Sequence, residues 1–194
     1  MPVIATDNDL TVRTMRDDDA DYGLLVRWRA QPHVHGWWEP DEPVPDLETV
    51  RTHYGPRARA EDPTTSCIIE LDRTPIGYLQ FYRWLGWPEE AAALEVDPDE
   101  DTFGIDIFIG EPELIGRGIG TRAVALVCDH LERDHGATAV ALTTESTNVR
   151  AQRAYEKAGF RKVREVLDTD TRDGQRIPSW LMVRSPAIDP APPE

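Results

Sequence analysis

Apolar and polar residues alternate along Asp9–Met15 (DLTVRTM), the period of a half-buried strand. Asp17-Asp18-Asp19 then offers N-caps for a helix with Ala20, Leu24, Leu25 and Trp28 on one face, which Pro32 is expected to stop. His33–Pro45 (HVHGWWEPDEPVP) keeps neither period and predicts a loop carrying two large apolar groups, Trp37 and Trp38. A second helix opens at Pro45-Asp46, runs to about Ala60 and closes at Asp62-Pro63. Thr65–Leu71 (TSCIIEL) and Pro75–Trp84 (PIGYLQFYRW) read as a hairpin around Asp72-Arg73. Leu85–Asp101, rich in alanine, proline and acids, predicts a long and partly mobile excursion.

Phe103–Leu131 organises the rest. Thr102–Gly110 is a β-branched strand interrupted by one acid, Asp106; Glu111–Ile115 is a short acidic loop; Gly116–Thr121 (GRGIGT) is glycine-rich; and Arg122–Leu131 is helical in pattern. Beyond it, Ala137–Thr144 reads as a strand and Asn148–Ala158 as a helix with Ala151, Ala154, Tyr155 and Ala158 along one side, ended by Gly159. Phe160–Val166 and Ile177–Val183 are strands around a polar hairpin loop, Asp168–Gly174. The order β-α-α-β-β-β-α-β-α-β-β predicts an α/β fold with a largely antiparallel front and a strand–helix–strand unit in the middle. One domain is expected over residues 1–185, with a disordered, proline-rich tail over 186–194.

Composition narrows the function classes. The 194 residues include 40% hydrophobic and 29% charged side chains, ordinary for a globular domain, but the net charge is −15. That balance argues against a nucleic-acid partner and favours a cationic ligand, although a generally acidic proteome would produce it too. Cys67 and Cys128 sit in apolar contexts with no paired spacing, which suits buried thiols in a reducing cytoplasm. No leader-like segment and no apolar run near 18 residues is present, so no membrane role is expected. His33 and His35 lack carboxylate or cysteine partners at ligand spacing, so no metal is expected.

Two places carry candidate chemistry. A strand, a glycine loop and a helix in that order form a backbone cradle for phosphate, because successive N–H groups and the helix N-terminus point at the anion. Gly116–Thr121 fits that cradle, with Arg117 adding charge, though it would also serve as a plain strand-to-helix turn. Asp106 lies between Ile105 and Ile107, where a carboxyl either faces a cavity and a cationic partner or faces solvent on an alternating strand.

The motif Ile115-Gly116-Arg117-Gly118-Ile119-Gly120, followed after a strand by Asn148-Val149-Arg150-Ala151 and Tyr155-Glu156-Lys157-Ala158-Gly159-Phe160, resembles the GNAT superfamily of acetyl-CoA-dependent N-acyltransferases. Ile115 stands where that pattern usually has Gln or Arg, while Gly118 and Gly120 fill its two key places. Within the superfamily the chain is similar to the aminoglycoside 6′-N-acetyltransferases from about Leu10 to Val183, through Gly36-Trp37-Trp38, Pro75-Ile76-Gly77-Tyr78, Gln80, Tyr82 and Gly104-Ile105-Asp106. Where those enzymes often have Asp-Pro after the fifth strand, this chain has Thr143-Thr144, with Glu145 one place on.

The resemblance implies a mixed sheet splayed between the fourth and fifth predicted strands, with acetyl-CoA as co-substrate. Ile115, Gly116, Arg117, Gly118, Ile119, Gly120 and Thr121 would hold the pyrophosphate. Phe108, Ile109, Asn148 and Ala151 would hold the pantetheine arm. Tyr155 would protonate the departing thiolate and Asp106 would bind the ammonium and take its proton. Asn148 would also cap its helix, and Tyr155 has the alternative of core packing. Trp37, Trp38, Glu39, Gln80, Tyr82, Trp84 and Glu145 are expected on the wall for a cationic aminoglycoside, helped by Asp41, Glu42 and the acids of Glu89–Asp101; either tryptophan has the alternative of core packing. A monomer or homodimer in the cytoplasm is expected. Competing readings are the same chemistry on another amine (the 2′-amine of kasugamycin, or a siderophore lysine precursor) and a non-catalytic domain that binds acyl-CoA or antibiotic.

Overall fold

The computed structural model describes residues 2–38, 42–96, 101–169 and 176–185. The strands are β1 (Val3–Asp7), β2 (Leu10–Thr14), β3 (Thr65–Leu71), β4 (Thr74–Arg83), β5 (Thr102–Ile109), β6 (Ala139–Glu145), β7 (Arg161–Thr169) and β8 (Arg176–Arg184). The helices are α1 (Asp19–Arg29), α2 (Pro32–His35), α3 (Leu47–Ala58), α4 (Pro88–Ala93), α5 (Ile119–His135) and α6 (Val149–Lys157). The strands form one sheet in the order β1-β2-β3-β4-β5-β6-β8-β7. Every neighbouring pair is antiparallel except β5 and β6.

That exception positions the site. Against β4, β5 is paired along its length, from Phe103↔Arg83 to Ile109↔Gly77. Against β6 it pairs only at Thr102↔Ala139, Phe103↔Val140 and Gly104↔Ala141. Past Gly104 the two strands part, leaving one edge of Ile105–Ile109 without a strand partner. Gly104 is required at the fork, because a Cβ there would stand 2.4 Å from the Tyr82 ring.

Strand period decides which residues enter which core. On one face Val12, Ile69, Leu79, Phe103, Ile105 and Val140 pack against α5, whose Ala123, Val124, Val127, Cys128 and Leu131 recur at helical spacing. On the other, Ile68, Tyr78 and Phe108 meet Tyr22, Leu25 and Trp28 of α1 and Val50 and Tyr54 of α3. A smaller cluster sets Trp84, Ala91, Leu94 and Val96 on Ala141 and Leu181. Among the described residues, no helix is long and apolar enough to cross a membrane.

Beneath α1 lies a buried ion cluster. Asp21 is fully buried and accepts from Arg13 Nη1 at 2.6 Å, Arg13 Nη2 at 3.0 Å, the Arg16 backbone N–H at 2.7 Å and Arg16 Nη2 at 2.8 Å. Arg13 Nε donates onward to Glu70 at 2.7 Å.

The sequence-based elements survive with four corrections. A further strand, β1, precedes the first predicted one and turns into it at Asn8, which has φ 54°. Pro32 occupies the first turn of α2, where its missing N–H is harmless, so the predicted loop begins with a helical turn. The Leu85–Asp101 excursion contains α4, again with a proline in its first turn. Asp168, expected in a loop, belongs to β7. The tail over 186–194 lies outside the described residues.

Candidate active site

Where β5 and β6 part, a cavity of about 900 Å³ opens. Its floor is Asp106–Ile109 of β5; one wall is the glycine loop with the first turn of α5, and another is one side of α6 from Val149 to Lys157. Trp37 and Trp38 close it on one side, and Thr143, Glu145, Asp168, Ile177 and Ser179 on the other.

The glycine loop is shaped by two left-handed residues. Gly116 and Gly118 both have φ 78°, with nothing within 4 Å of where a Cβ would be, so backbone conformation alone demands glycine there. Gly118 is also the N-cap of α5, which turns the first-turn N–H groups of α5 toward the cavity mouth. Ile115, Gly116, Gly118, Ile119, Gly120 and Thr121 line the cavity; Arg117 is exposed and does not. Arg150, Arg153 and Lys157 of α6 line it instead, basic residues that the glycine pattern gave no reason to single out.

Phe108, Ile109, Asn148, Ala151 and Tyr155, the residues that the resemblance assigns to cofactor and catalysis, line the same space. Asn148 Oδ1 accepts the Ala151 N–H at 3.1 Å, so its carbonyl is engaged in capping α6. Gln152 is 3% exposed and donates to the backbone oxygens of Glu145 and Ser146 at 2.9 and 3.1 Å, holding α6 against the end of β6. His33 Nε2 lies 3.0 Å from the Ile109 carbonyl; a carbonyl only accepts, so Nε2 carries the proton. This bond pins α2 to the end of β5. Among the described residues no group of three potential metal ligands converges.

Asp106 is half-buried on the cavity floor, and Gln80 Nε2 donates to its Oδ2 at 2.9 Å. Burial pushes its carboxyl above the ordinary carboxylate range; the Gln80 hydrogen bond and the charge of Arg57 oppose that rise, and Asp168 adds to it. Burial, with the charge of Asp106, also pushes the Tyr155 phenol well above its usual value, so it is a proton donor at any working pH. One acid and one phenol thus face a shared cavity, and the charge of the acid disfavours ionisation of the phenol.

The expected substrate residues divide. Trp37 is 45% exposed and presented to the cavity. Trp38 lines it too, but its ring is set edge-on against Tyr78 and Phe108, at centroid distances of 5.7 and 5.0 Å, so it also anchors the segment. Glu145 stands on the wall and accepts from Thr147. Three others leave the wall. Gln80 sits behind Asp106; Tyr82 covers Gly104 and meets Trp84 and Trp87 edge-on; Trp84 is 4% exposed, with its indole N–H on the Ala141 carbonyl at 3.3 Å. For the two aromatic residues, packing in the α4 cluster is the reason, and it takes Tyr82 and Trp84 off the wall expected to meet a cationic substrate. Glu39 and Asp41 lie outside the described residues, as do Asp97, Asp99 and Glu100. Of the remaining acids in Glu89–Asp101 none lines the cavity; Glu95 pairs with Arg164 and Asp101 with Arg83.

One acid the sequence reading missed is present. Asp168 Oδ2 accepts from Thr143 Oγ1 at 2.8 Å on the wall shared with Asp106. Thr143 stands where Asp-Pro was expected, and β7, one strand beyond β8 in the sheet, supplies a carboxylate. The cavity lining therefore carries charges of both signs, Arg122, Arg150, Arg153 and Lys157 from α5 and α6 and Asp106, Glu145 and Asp168 from the strands.

Comparison with known proteins agrees with this arrangement. Residues 17–167 match the model of the acetyltransferase (GNAT) domain. An aminoglycoside N(6′)-acetyltransferase type 1 from Klebsiella pneumoniae is 34% identical over 173 residues, 87% of this chain and 82% of that protein. An N-hydroxyputrescine acetyltransferase from Acinetobacter baumannii is 29% identical over 115 residues, 59% of this chain and 51% of that one. Among solved structures, AAC(6′)-Ib in complex with ribostamycin and coenzyme A superposes with a TM-score of 0.76 at 32% identity, over 91% of this chain and 93% of that chain. Loop, forked sheet and similarity point the same way: the chain belongs to the GNAT acetyltransferase family, alongside the aminoglycoside N(6′)-acetyltransferases.

Proposed function

We propose that the chain transfers an acetyl group from acetyl-CoA to a primary amine of an aminoglycoside, the 6′-amine foremost, by direct attack in a ternary complex, and thereby confers resistance. The observation that carries this reading is a single cavity at the fork of the sheet, lined by the glycine loop, the unpaired edge of β5, the cations of α6 and the carboxylates Asp106, Glu145 and Asp168. Relatives named for 6′-acetylation, and solved complexes of one of them with ribostamycin and with kanamycin, support it. So does the net charge of −15, which attracts a polycation over distance.

On this reading the N–H groups of Gly116–Thr121 hold the pyrophosphate, helped by cations of α6. Backbone groups of β5 near Phe108 and Ile109 hold the pantetheine arm, and one N–H there polarises the thioester carbonyl. Asn148 offers its amide N–H2, its oxygen being engaged in the cap. Asp168 and Glu145 draw in the ammonium groups of the acceptor, and Trp37 lies against a sugar ring.

Asp106 takes a proton from the attacking ammonium, which frees the nitrogen lone pair for the acetyl carbon. The C–N bond forms, and as the C–S bond breaks Tyr155 gives its proton to the sulfur. Tyr155 regains a proton from the surplus on the new amide nitrogen through solvent. The products are the N-acetyl antibiotic, free thiol and one proton. No metal is needed for any step. The location expected for such an enzyme is the cytoplasm.

A thiol-release assay across kanamycin- and tobramycin-type aminoglycosides, kasugamycin and small diamines tests the proposal. Turnover of 6′-amino compounds is expected, with the acetyl group on that nitrogen by mass spectrometry and NMR. No turnover of any aminoglycoside overturns it. Turnover of N-hydroxylated diamines alone favours a second reading, suggested by the N-hydroxyputrescine relative. Against that reading, a siderophore enzyme is expected to carry histidine where this chain has Asp106.

A further inference from the structure

Behind Asp106 runs a polar chain that does not touch the cavity. Arg57 Nη1 of α3 donates to Gln80 Oε1 at 2.9 Å, and Gln80 Nε2 of β4 donates to Asp106 Oδ2 at 2.9 Å. The Tyr78 hydroxyl also bonds Gln80 Oε1, at 2.9 Å, and lies 2.6 Å from Ser66 Oγ. We infer that Arg57 is a positioning residue for acetyl transfer, fixing which end of the Gln80 amide faces Asp106.

The argument is one of donors and acceptors. The two ends of a glutamine amide have nearly the same shape, so its neighbours decide its orientation. Three groups surround the Gln80 amide. A carboxyl group accepts when ionised and also donates when protonated, so Asp106 tolerates either end of the amide as its proton comes and goes. The Tyr78 hydroxyl donates or accepts, and its neighbour Ser66 does the same. Only the guanidinium has a single role at every pH, because it has no acceptor. Arg57 therefore holds Oε1 toward itself, and the N–H2 end is left for Asp106 throughout the proton cycle. That engages one carboxylate oxygen and keeps the other for the acceptor's ammonium.

Arg57 is built to stay in place. Its side chain is 13% exposed, its guanidinium lies 5.3 Å from the centre of the Tyr54 ring, and its Nε is 3.9 Å from Asp62. The groups that face Asp106 are Arg57 from α3, Asp168 from β7, and the neutral phenols Tyr82 of β4 and Tyr155 of α6. Of these the guanidinium alone favours the carboxylate form. Burial and Asp168 both favour the protonated form, which cannot accept a proton from an ammonium ion. Arg57 thus keeps Asp106 usable as a base while the wall around it is acidic. The inference rests on the proposed role of Asp106 and adds a residue that neither touches substrate nor lines its cavity.

Arg57→Met, Arg57→Lys and Gln80→Met test it, with kcat and KM for both substrates measured against pH. In Arg57→Met the acid limb of the kcat profile is expected to move up by about half to one pH unit. At fixed pH on that limb this is a loss of up to about tenfold. The KM for acetyl-CoA is expected to stay within about twofold, because Arg57 is remote from the cofactor wall. Arg57→Lys, also donor-only, keeps the wild-type limb. Gln80→Met cuts the chain at its middle, leaves the Arg57–Asp62 contact intact, and shifts the limb in the same direction. A direct reading that needs no turnover is the Asp106 carboxyl titration followed by carbon-13 NMR in ligand-free protein. An upward shift in Arg57→Met and Gln80→Met supports the inference. Unshifted titration and unshifted limbs in both, with only a lower melting temperature, would leave Arg57 a purely structural residue and overturn it. A wild-type enzyme that acetylates no aminoglycoside refutes the parent reading instead, and the titration still decides the chain.

Discussion

Asp21 and Asp106 are both carboxylates taken largely out of water, and they are treated in opposite ways. Asp21 receives four donors from Arg13 and Arg16 and is tied from both oxygens. Burial works against its charge, but those bonds win and hold its carboxyl below the ordinary range. Among the described residues Asp106 receives one side-chain donor, from Gln80, and burial wins. Both sites have positive charge nearby; the difference is how many donors reach the oxygens. A saturated carboxylate locks α1 to β2, whereas an undersupplied one keeps a proton within reach of chemistry.

The largest expected effect separates the two outright. Asp106→Asn is expected to lower kcat by about 10²–10⁴-fold while the melting temperature holds or rises, since a burdened charge is removed without stranding a partner. Activity within tenfold of wild type would erase the distinction. Asp21→Asn is expected to do the reverse, costing about 3–5 kcal/mol in chemical denaturation because Arg13 and Arg16 lose their anion. The kcat of the folded fraction should change little. Tyr155→Phe, expected to lower kcat by about 10²-fold, serves as a control, because it removes the proton donor and should leave the acid limb in place.

The pH dependence of stability sharpens the contrast further. Asp21 has a lowered pKa in the folded protein, so its contribution is present above the unfolded value of about 3.9 and is lost as pH falls through the folded one. Asp106 has a raised pKa. It therefore costs stability above that value, and the cost disappears as pH falls through it toward the unfolded one. Unfolding free energies compared with the two Asn variants across pH should show differences of opposite sign. The smallest expected effect is from Asp168→Asn. Removing its charge lowers the Asp106 pKa, so the acid limb should move down by about half a unit, with a higher KM for the polycationic acceptor.

The glycine-loop wall of the cavity is legible in the sequence because it is written in contiguous residues. A backbone cradle needs glycines at fixed local positions, and Gly116, Gly118 and Gly120 announce it within one turn of chain. The opposite wall is assembled from α2, β5, β6 and β7, and no short-range rule brings those together. Asp168 was hidden in a polar run, DTDTRDG, that reads as loop, although β7 carries it to the wall. Trp37 and Trp84 look alike in sequence, both flanked by glycine within a few residues, yet one faces the cavity and the other is buried. Only packing of α4 against β6 and β8 distinguishes them. β1 escaped notice because its VIATD run has too little alternation to stand apart. Resemblance puts Gln80 among the substrate contacts, whereas in the fold it bonds Arg57 and Asp106, which are distant in the chain.

The fork in the sheet has one more consequence. Asp106 stands on one leaf, and Thr143 with Asp168 on the other, and the leaves are stitched side by side only at Thr102, Phe103 and Gly104. The separation of the two acids is therefore governed by the angle at that seam, as the gap of a caliper is governed by its pivot. Anything lying between the jaws gauges that gap. On the proposed reading, a cofactor of fixed thickness would calibrate the spacing of those carboxylates, so that loading the first ligand tunes recognition of the next.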